Sequence, residues 1–226
     1  FLVSNPRQRM AWLGVLALAG VDVRTDPTRL VPLIAPAGPR RRATRAPLLV
    51  AGGAAWPWQD PRPGLDVALA LLDERGEGRV VWYGGKPLVG DTVGAWSLPA
   101  HPRLEAPGWV PRETLLHASA GATAALDWMA PNPERALAFS FRHADYLGCG
   151  LPIITGPDTA LTDLPGEWGW VTNEAHLAET LVQALDYAAD RRRRGRAARE
   201  AASLHLSLAA CAPLVAWVEA GTCHPR

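Results

Sequence analysis

A repeated alternation of short apolar runs, glycine pairs and helical segments constrains the fold of this chain more than any other feature. Residues 48–51 form an apolar run that ends at Gly52 and Gly53, a pattern typical of a buried parallel strand entering a tight turn. Residues 66–73 have helical spacing, and residues 79–83 form a second strand that ends at another glycine pair. This order predicts a right-handed βαβ unit.

The same alternation continues to about residue 190 and predicts the fold class. Further strands are predicted at residues 105–110, 122–128, 152–155 and 168–172. Helical segments are predicted at residues 112–118, 136–148, 158–164 and 174–190, the last with Asn173 as its N-cap. Strands that alternate with helices in this way indicate an α/β fold, a Rossmann-like doubly wound parallel sheet, here with a helical C-terminal tail.

Two segments flank this alternating region and set the predicted domain organisation. A strand end at residues 1–3 and a helix capped by Ser4 come first, followed by a loop rich in proline and arginine. The arginine runs at residues 40–42 and 191–194 fit a solvated surface, and contact with an anionic lipid or a partner is the alternative. The predicted units are a lead-in segment with a helix at residues 1–46, the Rossmann-like domain at residues 47–190, and a helical tail that packs back at residues 191–226.

Composition argues against several classes of protein. The 226 residues carry 23 basic and 22 acidic groups, and a net charge of +1 disfavours a nucleic-acid binder that neutralises many phosphates. The three cysteines are too widely spaced for a C-x-x-C motif, which indicates a reducing, cytoplasmic setting. The apolar stretch at residues 12–21 is too short to cross a bilayer. Because the chain begins at Phe1 rather than Met, we expect a fragment or a processed form.

Ligands of a doubly wound sheet bind beyond the carboxyl ends of its strands. That rule selects residues 52–60, 84–86, 128–134 and 155–159. The first of these segments lacks the G-x-G-x-x-G pattern of a dinucleotide site, and the second lacks the P-loop pattern. Classical NAD and ATP sites are therefore disfavoured.

The first strand-to-helix turn offers a different kind of site. The absence of side chains at Gly52 and Gly53 lets a backbone approach a phosphate or a sugar closely. Trp56 and Trp58 can form an apolar wall, with Asp60 as an acceptor for hydroxyl groups. A rigid loop of proline and tryptophan packed on the core is the alternative.

A second group of polar residues surrounds the helix predicted at residues 136–148. An anionic nucleotide sugar needs a cation for its diphosphate and carboxylates for its hydroxyl groups, which Arg142, Asp145 and Glu134 can supply. Arg142 and Asp145 are three residues apart on one helix face, so a surface ion pair between them is the alternative. His143 is interpreted as a structural histidine.

Residues 140–152 read Ser-Phe-Arg-His-Ala-Asp-Tyr-Leu-Gly-Cys-Gly-Leu-Pro, and Thr-Gly-Pro-Asp follows at residues 155–158. This region resembles the donor site of GT-B glycosyltransferases, specifically the family 4-like bacterial enzymes of surface-polysaccharide clusters. Other segments agree with the resemblance in their order along the chain: residues 7–9, 12–14, 52–61, 108–111 and 213–215.

The resemblance implies that the chain is the C-terminal, donor-binding half of a GT-B fold. Such an enzyme transfers a sugar from a nucleoside diphosphate to a glycan or lipid-linked acceptor held by an N-terminal domain, so the present chain is expected to be inactive alone. Asp145 takes the position of the carboxylate that binds the ribose hydroxyls. Glu134 resembles the glutamate that faces the donor sugar, although its spacing of 11 residues to Asp145 is longer than in the family motif.

The resemblance also implies that no metal and no cofactor is needed. Arginine or lysine side chains, here Arg142 and the lone Lys86, and a helix N-terminus stabilise the departing diphosphate in such enzymes. We expect a cytoplasmic protein, with contact to the inner face of the membrane as an additional hypothesis and no nucleic-acid partner. Two alternatives stay open: a non-catalytic module that binds a nucleotide sugar or another protein, and an epimerase with the same fold.

Overall fold

The strands form two parallel sheets in this protein, whose computed structural model describes residues 1–42, 44–85 and 96–221. A small sheet near the amino terminus pairs β1 (Leu2–Val3) with β2 (Arg29–Leu30). The main sheet contains β3 (Leu48–Ala54), β4 (Arg79–Gly85), β5 (Leu104–Gly108), β6 (Ala124–Asp127), β7 (Ile153–Thr155) and β8 (Gly169–Val171). Its spatial order is β5-β4-β3-β6-β7-β8. The chain therefore runs outwards from β3 to β5 on one side of the sheet, returns to the centre, and runs outwards from β6 to β8 on the other side, as in a doubly wound fold.

Helices cover both faces of the main sheet. They are α1 (Pro6–Leu18), α2 (Arg62–Arg75), α3 (Arg112–Gly121), α4 (Pro133–Leu137), α5 (Phe141–Gly148), α6 (Leu177–Asp186), α7 (Ala188–His205) and α8 (Ala212–Glu219). Along β3, Leu49 faces a core cluster with α2 and α6, whereas Val50 faces a second cluster with α5 and α7. This alternation follows from the two-residue period of a strand. The fold class predicted from the sequence is confirmed.

One helix that the sequence predicted is divided in two. Residues 136–148 were expected to form a single helix, but residues 138–140 separate α4 from α5. The Ser140 hydroxyl accepts a hydrogen bond from the Arg142 N–H at 3.2 Å, and the Ser140 N–H donates to His143 Nδ1 at 3.3 Å. These reciprocal bonds form a capping box, which starts a new helix at this point.

Two other helix boundaries also differ from the sequence prediction. The N-cap of α1 is Asn5 rather than Ser4, because the Asn5 side chain accepts from the Gln8 N–H and Pro6 occupies the first helical position. Asn173 is an N-cap as predicted, but it caps a short 3-10 turn at Glu174–His176, and the helix expected over residues 174–190 is interrupted at Tyr187, between α6 and α7. The predicted domain boundary between residues 190 and 191 thus lies inside α7, and the division into domains stays a prediction.

The segment before the main sheet is attached to it through α1. Arg7 forms an ion pair with Asp163 at 2.6 Å and donates to the Ala136 carbonyl at 3.1 Å. Asn5 donates to the Leu137 carbonyl at 2.8 Å. These bonds hold the lead-in segment against α4, close to the carboxyl edge of the sheet.

The helical stretch Ala188–Glu219 is long and apolar enough to cross a membrane by length and composition. A 3-10 turn at Leu208–Cys211 interrupts this stretch between α7 and α8. Helices packed inside a protein pass the same hydropathy test, so this feature by itself assigns no membrane span.

Candidate donor-binding site

The carboxyl ends of β3 and β6 meet at the centre of the sheet. After β3 the chain moves to β4 on one side, and after β6 it moves to β7 on the other, so the two connections diverge and leave a crevice between them. Three of the four segments that the sequence selected follow β3, β6 and β7 at this edge. The fourth follows β4, and its Lys86 lies outside the described residues.

Asp127, the last residue of β6, is the buried centre of the crevice. Its side chain is 2% exposed and accepts hydrogen bonds from Arg135 at 2.9 Å and from His143 at 2.7 Å. Arg142 approaches the other carboxylate oxygen at 3.3 Å. Burial works to raise the pKa of Asp127, but Arg135, His143 and Arg142 together hold that pKa well below its ordinary value. Asp127 is therefore an ionised anchor for the groups around it.

His143 binds this carboxylate through a neutral imidazole ring. Its Nδ1 accepts from the Ser140 N–H, so the proton resides on Nε2 and is donated to Asp127. Burial lowers the pKa of His143, against the opposing effect of Asp127. Both ring nitrogens are occupied, which is the arrangement of a structural histidine rather than a general base.

Arg142 reaches from α5 across to the end of β3. Gly53 has φ +142°, and a Cβ atom there would lie 2.5 Å from Arg142 Nη1. The missing side chain at Gly53 thus lets the guanidinium lie against the backbone. The Arg142 side chain is 19% exposed, and its buried Nε has no hydrogen-bond partner among the described residues.

The charges in this cluster do not cancel. Arg135 and Arg142 contribute two positive charges, Asp127 contributes one negative charge, and His143 is neutral. One positive charge remains, and it lies at a partly exposed guanidinium beside a glycine backbone. An arrangement of this kind favours an anionic ligand with phosphate-like oxygens.

The tryptophan loop after β3 forms a wall beside the crevice. The rings of Trp56 and Trp58 stack with their centroids 5.3 Å apart, and Trp58 is 51% exposed. Asn132 donates to the Trp58 carbonyl at 2.8 Å, and Gln59 donates to Glu134 at 2.6 Å. These two bonds bring Glu134 next to the loop.

The carboxylates of Asp60 and Asp145 are both engaged within the chain. Both oxygens of Asp60 accept from Arg62, and these hydrogen bonds lower the pKa of Asp60. The Asp145 side chain is 7% exposed and pairs with Arg112 of α3. In the described residues Arg142 and Asp145 form no ion pair with each other, because each has a different partner.

Sequence reasoning missed three residues of this site. Asp127 and Arg135 form its buried ion pair, and Tyr146 has a buried hydroxyl with no hydrogen-bond partner among the described residues. Burial raises the pKa of Tyr146, so its hydroxyl keeps the proton that it can donate. The available signal was Asp127 itself, a lone acid at the end of an apolar strand.

No protein-family model and no curated protein matches this chain. Solved structures do. Sucrose-phosphate synthase from Thermosynechococcus elongatus is 17% identical with a TM-score of 0.66, over 98% of this chain and 57% of that one. HepE of Anabaena in complex with UDP-glucose is 13% identical with a TM-score of 0.68, over 97% of this chain and 63% of that one.

A third structure is similar to the same extent. The pneumococcal O-GlcNAc transferase GtfA in complex with UDP and GlcNAc is 13% identical with a TM-score of 0.73, over 99% of this chain and 45% of that one. The present chain thus spans less than two thirds of each of these three proteins. At such low identity the similarity shows the fold alone: the chain has the Rossmann-like fold of one half of GT-B glycosyltransferases.

Proposed function

We propose that this chain is the donor-binding half of a glycosyltransferase. In this proposal it binds a nucleoside-diphosphate sugar at the carboxyl edge of the sheet, and the sugar passes to a glycan or lipid-linked acceptor on an N-terminal domain. One observation carries the proposal: the partly exposed Arg142 guanidinium lies at the switch point, against Gly53, in a cluster with one uncompensated positive charge. The fold shared with proteins solved in complex with UDP or UDP-glucose supports it.

Arg142 is the proposed contact for the diphosphate. The N–H groups of Arg142 and His143 bond to Ser140, so the guanidinium rather than the start of α5 supplies the positive charge. Because Asp127 fixes Arg142 before the ligand arrives, the charge that develops on the departing diphosphate meets a preorganised cation. Lys86, the residue that follows β4 in the sequence, is the second proposed cation.

The remaining predicted residues take roles around the sugar and the nucleoside. Gly52 and Gly53 keep the end of β3 open for close approach, and the stacked Trp56 and Trp58 form an apolar wall. Glu134 beside this wall faces the sugar hydroxyls. The other two proposed acceptors for hydroxyl groups are Asp60 and, for the ribose, Asp145.

The setting of the reaction is proposed on the resemblance alone. We propose a cytoplasmic bacterial enzyme of polysaccharide biosynthesis that needs neither a metal nor a cofactor. The chain by itself binds the donor and does not turn it over, because the acceptor site belongs to the other domain.

Calorimetric titration of the full chain with UDP, GDP and ADP tests the donor site. We expect one of them to bind, and Arg142→Gln to weaken it about tenfold or more because a charge-assisted hydrogen bond is lost. Arg24→Gln is the matched control, since Arg24 pairs with Asp22 on an exposed surface. Absence of binding at millimolar nucleotide, or equal affinity of the two variants, would refute the proposal.

Asp145→Asn tests the ribose assignment separately. The variant should lose about 1–3 kcal/mol of nucleotide affinity if a desolvated hydrogen bond is removed. Urea unfolding of the same protein shows whether the loss of the pair with Arg112 has also changed stability. A nucleotide affinity equal to that of the parent chain would remove Asp145 from the site.

The two alternatives give different outcomes. An epimerase would convert a nucleotide sugar without an acceptor, which chromatography of the sugar after incubation with the full chain detects. A non-catalytic module would bind nucleotide but support no transfer even when joined to an N-terminal domain and given acceptor.

A further inference from the structure

A second cavity lies at the opposite, amino-terminal edge of the sheet. Its volume is about 600 Å³, and its walls include Pro47 before β3, Thr123 before β6 and the end of α6. Eight of its 18 lining residues are arginines, and two are acids. The volume is within the range of small-molecule sites, whereas this density of one charge is unusual for a solvated surface.

One helix supplies half of these arginines. Arg191, Arg192, Arg196 and Arg199 line the cavity from α7, together with Gly195. Their spacing places them along one side of the helix. Ala198, Ala201 and Ala202 pack into the core, whereas Arg192 and Arg196 are exposed and lie away from that packing face. The loop before β3 completes the wall with Arg41, Arg42 and Arg45.

The acids at the cavity do not neutralise this charge. Asp186 pairs with Arg75 at 2.7 Å, and Glu77 also lies near Arg75. On α7, Asp190 pairs with Arg193 and Arg194, which do not line the cavity. Among the described arginines that line the cavity, Arg75 alone forms an ion pair with one of its acids, and Asp186 also attracts Arg191 electrostatically.

Three of these arginines have a structural role. Arg41 donates to the Ala122 and Gly150 carbonyls, Arg191 to the Ala184 carbonyl at 2.9 Å, and Arg199 to the Cys149 carbonyl at 3.0 Å. These carbonyls lie at the ends of α3, α5 and α6, where cations are favourable. Burial, with smaller contributions from Arg191 and Arg199, lowers the pKa of Arg41 to about 10, and burial also lowers the pKa of Arg191.

The other four arginines are available to a ligand. In the described part of the chain, the guanidinium groups of Arg42, Arg45, Arg192 and Arg196 make no hydrogen bond or ion pair, and all four residues are exposed. Arginine stays protonated, so these four groups keep their positive charges, and Arg192 acts repulsively on Arg191. Planar guanidinium forks match the oxygens of phosphate groups.

We infer that this cavity is a second anion site, which binds a molecule with two or more phosphate groups through Arg192, Arg196, Arg42 and Arg45. The site is distinct from the donor site, because the sheet lies between this edge and Asp127. The phosphates can come from a soluble polyphosphorylated compound or from the headgroups of anionic phospholipids. In either case the ligand offsets the repulsion within the arginine cluster.

Tripolyphosphate is the probe for the soluble source, measured by calorimetry with the full chain. We expect saturable binding that the double variant Arg192→Gln with Arg196→Gln weakens about tenfold or more. The matched control is Arg24→Gln with Arg193→Gln, which removes the same charge, one of the two from α7, but does not touch the cavity. Because tripolyphosphate can also enter the donor site, the titration is repeated in Arg142→Gln, where the binding that depends on Arg192 and Arg196 should remain.

Vesicle sedimentation tests the lipid source. Vesicles of phosphatidylcholine alone are compared with vesicles of equal parts phosphatidylcholine and phosphatidylglycerol. Binding only to the anionic vesicles, lost in the Arg192/Arg196 variant and kept in the control, would assign the site to headgroups. The inference is overturned if neither probe binds, if both double variants weaken binding equally, or if Arg142→Gln alone abolishes it.

Discussion

The two edges of the sheet both carry arginines, but they hold the charge in different ways. At the carboxyl edge, Arg135 and Arg142 share the buried carboxylate of Asp127, and a glycine leaves one guanidinium in reach of a ligand. At the amino edge, seven arginines surround a cavity whose two acids lie beside Arg75. A buried charge needs a partner built into the fold, whereas an exposed charge can rely on water or on an external anion.

This contrast has a functional consequence. The counter-ion at the carboxyl edge fixes the position of Arg142 before any ligand binds, which suits a site where charge develops during a reaction. The amino edge has no such counter-ion for Arg192 and Arg196, so it suits binding rather than catalysis. Variants that alter one edge at a time test this contrast.

The largest expected effect is on stability at the carboxyl edge. Asp127→Asn removes the only carboxylate from a cluster with two buried or half-buried arginines, and should cost about 3–5 kcal/mol in the free energy of unfolding. At the amino edge, Asp186→Asn breaks the more exposed pair with Arg75 and should cost only about 0.2–1 kcal/mol. Urea unfolding of both variants measures the difference. Equal costs would show that the two edges hold charge in the same way.

The stability difference between the parent chain and Asp127→Asn should depend on pH. The folded-state pKa of Asp127 is lowered, so its stabilising contribution is complete above the ordinary pKa of about 4 and is lost as pH falls towards the folded value. The parent chain should therefore lose its advantage over Asp127→Asn only in acid. A difference that stays constant between neutral pH and strongly acidic pH would contradict the assignment.

A smaller effect is expected from Gly53→Ala, which should change ligand binding as well as stability. The new Cβ would displace the Arg142 guanidinium, and affinity for the nucleotide should fall about tenfold. Gly20→Ala is the control, because Gly20 also has a positive φ, +81°, but has nothing within 4 Å of its Cβ position.

Calorimetry and urea unfolding together separate the two contributions. Backbone strain should cost both glycine variants about 1–3 kcal/mol of stability. Only the variant at Gly53 should lose nucleotide affinity. An unchanged affinity at Gly53→Ala would mean that Arg142 does not contact the nucleotide from this position.

The smallest expected effect is at the amino edge. Removing two repelling charges by Arg192→Gln with Arg196→Gln should change the free energy of unfolding by less than about 1 kcal/mol, in the stabilising direction at low salt. Added salt screens the repulsion, so this difference should shrink as ionic strength rises. Urea unfolding at two salt concentrations checks it. A loss of several kcal/mol would show that these arginines are needed to hold the fold.

The sequence predicted the sheet well because each strand carries a local signal. The apolar run that becomes β3 and the glycine pair at its end are visible without the rest of the chain, and the same is true of β4. The helix predicted at residues 136–148 was wrong as a single helix. The residues around Ser140 have a helical composition, so its role as an N-cap was not evident. That role depends on the hydrogen bond between the His143 side chain and the Ser140 N–H.

The candidate site was predictable only in part. Arg142 and Gly53 were both selected from the sequence, and the structure brings them into contact. Asp127 was passed over because a single acid in a strand has no local signature of its three partners, which come from α4 and α5. The pairing of Asp145 with Arg112 was not visible either, because these residues lie on different helices.

The sequence by itself determined the alternation of strands and helices, and hence the doubly wound fold and the edge proposed for the donor site. Only the tertiary structure decided which charges are neutralised. Net charge near zero says nothing about where the charges lie, whereas folding buries Asp127 among its partners and gathers arginines from α7 and the loop before β3 around one cavity. The physical reason is that electrostatic interactions depend on distance and burial in space, which the order of residues along the chain does not specify.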